Sequence, residues 1–176
     1  MRKAFGIGIF FGLILLGLTA VLAATGKSPF WKWRYVGSWL PPVAVAWAVY
    51  QGRPKEHGRF YPFREALSQG LWATLALAST KAMGVYIALY FFPELLELHV
   101  EELSRDLRRL SPNWTGAILS EDPDDLLRLF RENSTPARLS WGEFQNNLLG
   151  GGLCSLIFGL IFHRTPPPSS YDYDKS

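Results

Sequence analysis

The sequence predicts an all-α integral membrane protein: a bundle of four transmembrane helices with a helical extramembrane insert between helices 3 and 4. Three observations carry this. Apolar residues gather into four blocks, and aromatics make up 15% of the 176 residues. Two of the blocks reach the 17 to 25 residues, roughly, that a helix needs to cross a bilayer core. The largest polar stretch falls between the third and fourth blocks and carries a helical apolar stripe.

The first block, residues 4–24, has no charge and follows Arg2 and Lys3. Its anatomy is close to that of a signal peptide, with "VLA" at Val21–Ala23 as a cleavage site. The apolar run is long for a signal core, however, and Ala4, Gly8 and Gly12 fall four apart. That spacing makes a small-residue row against which another helix packs closely, so a retained helix is expected.

The second span is placed at about 34–51. It contains Pro41 and Pro42, which remove two backbone donors and interrupt or kink the helix near its start. Trp31, Trp33, Tyr35 and Trp39 precede them as an interfacial aromatic belt. The third span, about 67–92, carries one charge, Lys81. The fourth, about 145–163, has a small-residue row of Gly151, Ser155 and Gly159, and its partner lies within this chain or in another.

The insert, residues 93–141, begins with an amphipathic helix whose stripe is Leu96, Val100, Leu103, Leu107 and Leu110. It either continues the third span past Pro93 or lies on the membrane surface. A second helix is signalled by Asp122 as N-cap with Pro123 at the first helical position. The two helices are expected to pair as a small hairpin. A Pro-rich flexible tail, residues 166–176, closes the chain after the membrane domain, residues 1–165.

Net charge is +3, which gives no reason to expect a nucleic-acid partner. The single cysteine, Cys154, reads as a packing residue. His57, His99 and His163 sit in three separate segments, so no metal or cofactor is expected. The acids of the insert, among them Glu101, Glu102, Asp124 and Asp125, read as the solvated side of amphipathic helices, and no enzymatic activity is expected from them. "NWT" at Asn113 and "NST" at Asn133 match a glycosylation acceptor pattern short enough to arise often by chance. Basic residues flank the first span and crowd the second connection at Arg53, Lys55, Arg59 and Arg64. By the positive-inside rule both termini are cytoplasmic and the insert is periplasmic.

Lys81 is the residue that needs a reason. A charge at the bilayer centre costs roughly 2.5 to 3.5 kcal/mol on insertion scales. The other apolar blocks hold no Asp or Glu, and Glu65 and Glu143 read as boundary residues far from Lys81 in depth. Three readings are open: pairing with a carboxylate of a partner chain, lining a polar cavity, or a neutral or snorkelling lysine in the bundle. The first leads to an accessory or assembly subunit that packs against another integral membrane protein or its own copies, in contact with membrane lipid. The residues expected at helix packing or partner contacts are Lys81, Gly8, Gly12, Gly151, Ser155 and Gly159. The alternative is a transporter or channel component using Lys81 in a midplane cavity.

The glycine-rich "AFGIGIFFGLILLG", the aromatic "FYPFREALSQG", "FFPELLE" and the last "LLGGGLCSLIFGLIFHR" together resemble a bacterial integral membrane family known only as domain of unknown function 4199. The resemblance covers almost the whole chain. It implies four helices in the bacterial inner membrane and carries no activity or site.

Overall fold

The structure is a computed structural model and describes residues 2–30, 32–54, 60–109 and 123–164. Trp31, Lys55, His57, Arg59, Leu110, Asn113, Asp122 and the tail at 166–176 lie outside the described residues, as do the side chains of Leu107, Asp124 and Asp125. Among the described residues there are six α-helices and no strand: α1 (Arg2–Ala24), α2 (Leu40–Gln51), α3 (Phe63–Phe91), α4 (Glu94–Arg109), α5 (Pro123–Asn133) and α6 (Pro136–Phe162). A 3-10 turn, Lys32–Gly37, precedes α2. Three helices, α1, α3 and α6, are long and apolar enough to cross a membrane, as befits a membrane protein.

Local chemistry sets the helix ends. At the end of α1, Gly26 takes the left-handed conformation (φ 70°), the Lys27 amide bonds the Leu22 carbonyl, and the Gly26 amide bonds Ala23. This is a Schellman stop, which a residue with a side chain enters only at a cost. At the start of α6, Thr135 is the N-cap: its hydroxyl accepts from the Arg138 amide at 3.3 Å, and Pro136 follows at the first helical position. α6 therefore begins nine residues before the position 145 expected from hydropathy.

The expected second span is divided. Residues 32–37 form the 3-10 turn, and α2 has 12 residues. At 1.5 Å per residue α2 rises about 18 Å, against about 30 Å for a hydrocarbon core. Pro41 and Pro42 sit in its first turn, where amides have no intrahelical acceptor, so the prolines start this helix instead of kinking it. α3 stops at Phe91, and the chain passes Phe92 and Pro93 before α4. The insert's first helix is thus a separate element. It packs on α5, as the expected hairpin requires.

The chain resolves into two compact units. One draws on Met1–Phe11, Leu40–Ala78 and Asn147–Ser176, the other on Gly12–Trp39 and Ser79–Asn146. In the first, small residues bring helices close. A Cβ on Gly8 would run into the Ala73 carbonyl and the Ala76 side chain, and one on Gly70 would lie 2.8 Å from Ser155. Val45, Val49, Tyr61 and Ala66 form a core with Cys154, Phe158 and Phe162 packed on it. The C-terminal end of α6 is tied down by Arg53, whose guanidinium donates to the Phe162 carbonyl at 3.2 and 3.3 Å and lies 4.6 Å from the Phe162 ring centre. A short antiparallel bridge joins Tyr61 and Arg164 through two backbone bonds. The Tyr61 hydroxyl donates to the Val49 carbonyl. Burial, with Glu65 adding and Arg53 opposing, pushes its pKa up to about 12.

In the second unit Phe30, Val85 and Leu89 make the core, with Leu16, Leu95, Leu96 and Leu139 against it. On α4 the buried face holds His99 and Leu103. Leu103 belongs to the expected stripe; His99 does not.

Candidate functional site: an ion cluster around Glu143

The second unit buries a small set of charges. α3 supplies Lys81, eighteen residues after its start, and α6 supplies Glu143, seven residues after its own. The ammonium lies 2.5 Å from Glu143 Oε2. Their side chains are 12% and 6% exposed. The other carboxylate oxygen, Oε1, faces the Arg34 guanidinium at 3.7 Å, and Arg34 comes from the 3-10 turn. One carboxylate thus stands between two cations from two different elements.

This corrects the expectation that the chain holds no carboxylate for Lys81. The reason is the start of α6. Counted from the apolar block alone, Glu143 lies outside the last span. Counted from the Thr135 cap, it is two turns inside a helix. The signal was available in the row itself. Gly159, Ser155 and Gly151 recur every four residues, and two further steps back give Asn147 and Glu143, all of them buried. The rule that found the start of α5 at Asp122–Pro123 also applies to Thr135–Pro136.

A second polar group lies in the same unit. Ser28, fully buried, shares a hydrogen bond of 3.1 Å with His99 Nδ1 on α4. The Phe30 amide bonds the Ser28 hydroxyl at 3.4 Å, and the Phe30 ring meets the imidazole edge to face. Burial pulls the His99 pKa below its ordinary 6.5; the Glu102 carboxylate opposes that shift and the Arg34 guanidinium adds to it. Arg34 therefore acts electrostatically on both His99 and Glu143. Glu102 Oε2 is buried and has no hydrogen-bond partner among the described residues. Farther out, Lys32 pairs with Asp106 at 3.0 Å, and the Lys27 ammonium sits 4.0 Å over the Trp33 ring. None of Ser28, Arg34, Glu102 or Glu143 stood out in the sequence as a site residue, because each looks like an ordinary loop or surface residue until its helix or turn is placed.

The remaining expected contact residues distribute as follows. Gly151 packs on Thr74, where a Cβ would lie 2.5 Å from the threonine methyl. Ser155 exchanges a hydroxyl hydrogen bond with Thr74 at 3.3 Å and donates to the Gly151 carbonyl at 2.7 Å. Gly159 faces the Phe63 ring at 3.1 Å from a hypothetical Cβ. Gly8 faces α3, and Gly12 is buried in the second unit. These contacts run within the chain. Chemically, the Glu143 cluster can hold charge away from water and can fix the pairing of two long helices. Among the described residues no group of His, Cys, Asp and Glu has the arrangement to hold a metal ion.

No protein-family model matches the chain, and no curated protein or solved structure is significantly similar to it.

Proposed function

We propose that this is a small multi-pass membrane protein of the bacterial inner membrane that works without catalysis, as an accessory or assembly subunit packing against partner membrane proteins. α1, α3 and α6 span, and α2 with the preceding turn forms a fourth, shorter membrane segment. Both termini are cytoplasmic, and α4 and α5 lie on the periplasmic side. Four helices in a bacterial inner membrane are what the resemblance to domain of unknown function 4199 implies, and the orientation follows from the positive-inside rule.

The observation that carries the reading is the exposed apolar surface of the helices, because the pairing of Lys81 with Glu143 removes the lysine as a partner contact. The one charge in the middle of α3 is spent inside the chain, so the lysine braces a scaffold and is not held ready for a partner's carboxylate. The partner surface is then apolar. Phe91, Phe92, Leu149, Leu153 and Ile161 are each more than half exposed. Such faces suit lipid and neighbouring helices alike. The test is purification of the wild type in mild detergent with identification of co-purifying proteins. A stoichiometric membrane partner is expected. Recovery only as a monomer or homo-oligomer sinks the reading.

The ion cluster favours one other reading, a transporter or channel component. Ionisable residues within membrane helices commonly mark ion or proton paths. This reading expects ion or proton flux in liposomes that changes in Lys81→Met and Glu143→Gln, and absence of flux across a broad ion panel removes it.

A further inference from the structure

The seam between α1 and α2, within the first unit, carries an open groove of about 470 Å³. That lies inside the roughly 300 to 1,000 Å³ of small-ligand clefts. Its walls are unequal along their length. At one end stand Lys3, in the first turn of α1, and Gln51, the last residue of α2. Ala4 and Ala48, packed in one core cluster, hold those two helix ends together. Farther along α1 come Ile7, Phe10 and Phe11, with Trp47 opposite. At 1.5 Å per residue this apolar wall runs about 6 to 12 Å beyond Lys3. Phe10 and Trp47 are 60% and 54% exposed, so the described residues leave them uncovered. Gly6 lines the groove too, and a Cβ there would meet nothing within 4 Å. Among the described residues the lining carries one cation, one carboxamide and no acid.

Resting on the membrane reading above, we propose that this groove seats one anionic phospholipid, its phosphate held by the Lys3 ammonium and the Gln51 amide and one acyl chain laid along Ile7, Phe10, Phe11 and Trp47. The charge decides the class of lipid. A zwitterionic headgroup brings its own cation to Lys3, whereas phosphatidylglycerol offers a net anion. The apolar wall decides against free phosphate, which would leave Phe10 and Trp47 uncovered. The lysine sits at the end of its helix, where its stem reaches the headgroup layer.

The test is native mass spectrometry of the full chain, released from mild detergent after incubation with phosphatidylglycerol or phosphatidylcholine of matched acyl chains. Carbonate washing of membranes carrying the same variants runs in parallel. The wild type should carry one phosphatidylglycerol in preference to phosphatidylcholine. Lys3→Gln should lower that preference about fivefold, the usual worth of one lysine at an anionic surface. Arg64→Gln, at a different groove on α3, should leave it unchanged. Gly6→Phe keeps every charge and fills the floor; it should abolish the adduct while the melting temperature and membrane retention hold. Equal adducts of both lipids, equal effects of Lys3→Gln and Arg64→Gln, or an undiminished adduct in Gly6→Phe would each overturn the site. A dimer without lipid that Gly6→Phe disrupts would give the seam to a second copy instead, also overturning it. Release of the wild type by carbonate would overturn the membrane reading and the site together, whereas retention without preference removes the site alone.

Discussion

In the first unit the helices meet along their length chiefly through hydroxyls and backbone carbonyls brought into reach by glycine, Thr74 with Ser155 and Gly151 and Gly8 against Ala73, while the Arg53 charge holds only the end of α6. In the second the polar groups are mostly full charges, with an imidazole and the hydroxyl it pairs with: Lys81, Arg34, Glu143 and Glu102, then His99 with Ser28. The difference is one of tolerance. A hydroxyl that loses its partner can return to its own helix, as Ser155 already does with the Gly151 carbonyl. A buried carboxylate or ammonium has no such retreat. The first unit should therefore respond to changes in volume and the second to changes in charge.

The largest effect should come from Glu143→Ala. It leaves the Lys81 ammonium buried without the Glu143 carboxylate, and breaking a buried pair from one side costs about 3–5 kcal/mol. Equilibrium unfolding in mixed micelles, read by circular dichroism, should show it. The double variant Lys81→Met/Glu143→Leu should recover most of that loss, since apolar replacements of a whole buried pair are often neutral. If the double variant is no better than the single, the charges are needed for more than each other.

Gly151→Leu tests the other side of the comparison. It pushes a side chain into Thr74 and should cost about 1–3 kcal/mol by the same unfolding assay, as overpacking does. Gly17→Ala, where a Cβ meets nothing within 4 Å, should be neutral or stabilising by up to about 1 kcal/mol through helix propensity. A large loss in Gly17→Ala would mean that small size matters on the outer face of α1 as well.

His99 sharpens the contrast through pH. Burial holds its folded pKa below the ordinary 6.5. The unfolded chain then binds the proton first as pH falls, and stability drops from about 6.5 downward until the folded imidazole also titrates. An unfolding midpoint that declines between pH 7.5 and 5.5 in the wild type and less steeply in His99→Gln is the expected outcome. The smallest effect belongs to Lys32→Gln. Lys32 is 53% exposed, and loss of its Asp106 pair should cost about 0.5 kcal/mol or less, shrinking further in salt.

The two units also differed in how far the sequence disclosed them. Rows of small residues at spacing four mark helix packing without knowledge of the partner, so Gly8, Gly151, Ser155 and Gly159 stood out. The lengths of α1 and α3 followed from hydropathy within two to four residues at each end. The charge cluster did not follow. Hydropathy locates apolar blocks but not helix ends, and Glu143 belongs to the part of α6 that only the Thr135–Pro136 cap reveals. Arg34 and Ser28 sit between helices, where no period operates. α2 was read too long because Pro41 and Pro42, taken as interruptions within a span, mark its beginning.

The pairing of Lys81 with Glu143 has a consequence for biogenesis. The two residues are 62 positions apart. A ribosome adding about 5–20 residues per second makes the lysine roughly 3–12 s before its carboxylate exists. For those seconds α3, if it enters the bilayer as proposed, carries an ammonium whose Glu143 partner does not yet exist. It then waits beside the insertion machinery, in contact with water, until α6 arrives. On that reading, chain order makes the arrival of α6 the event that releases α3 into its final place.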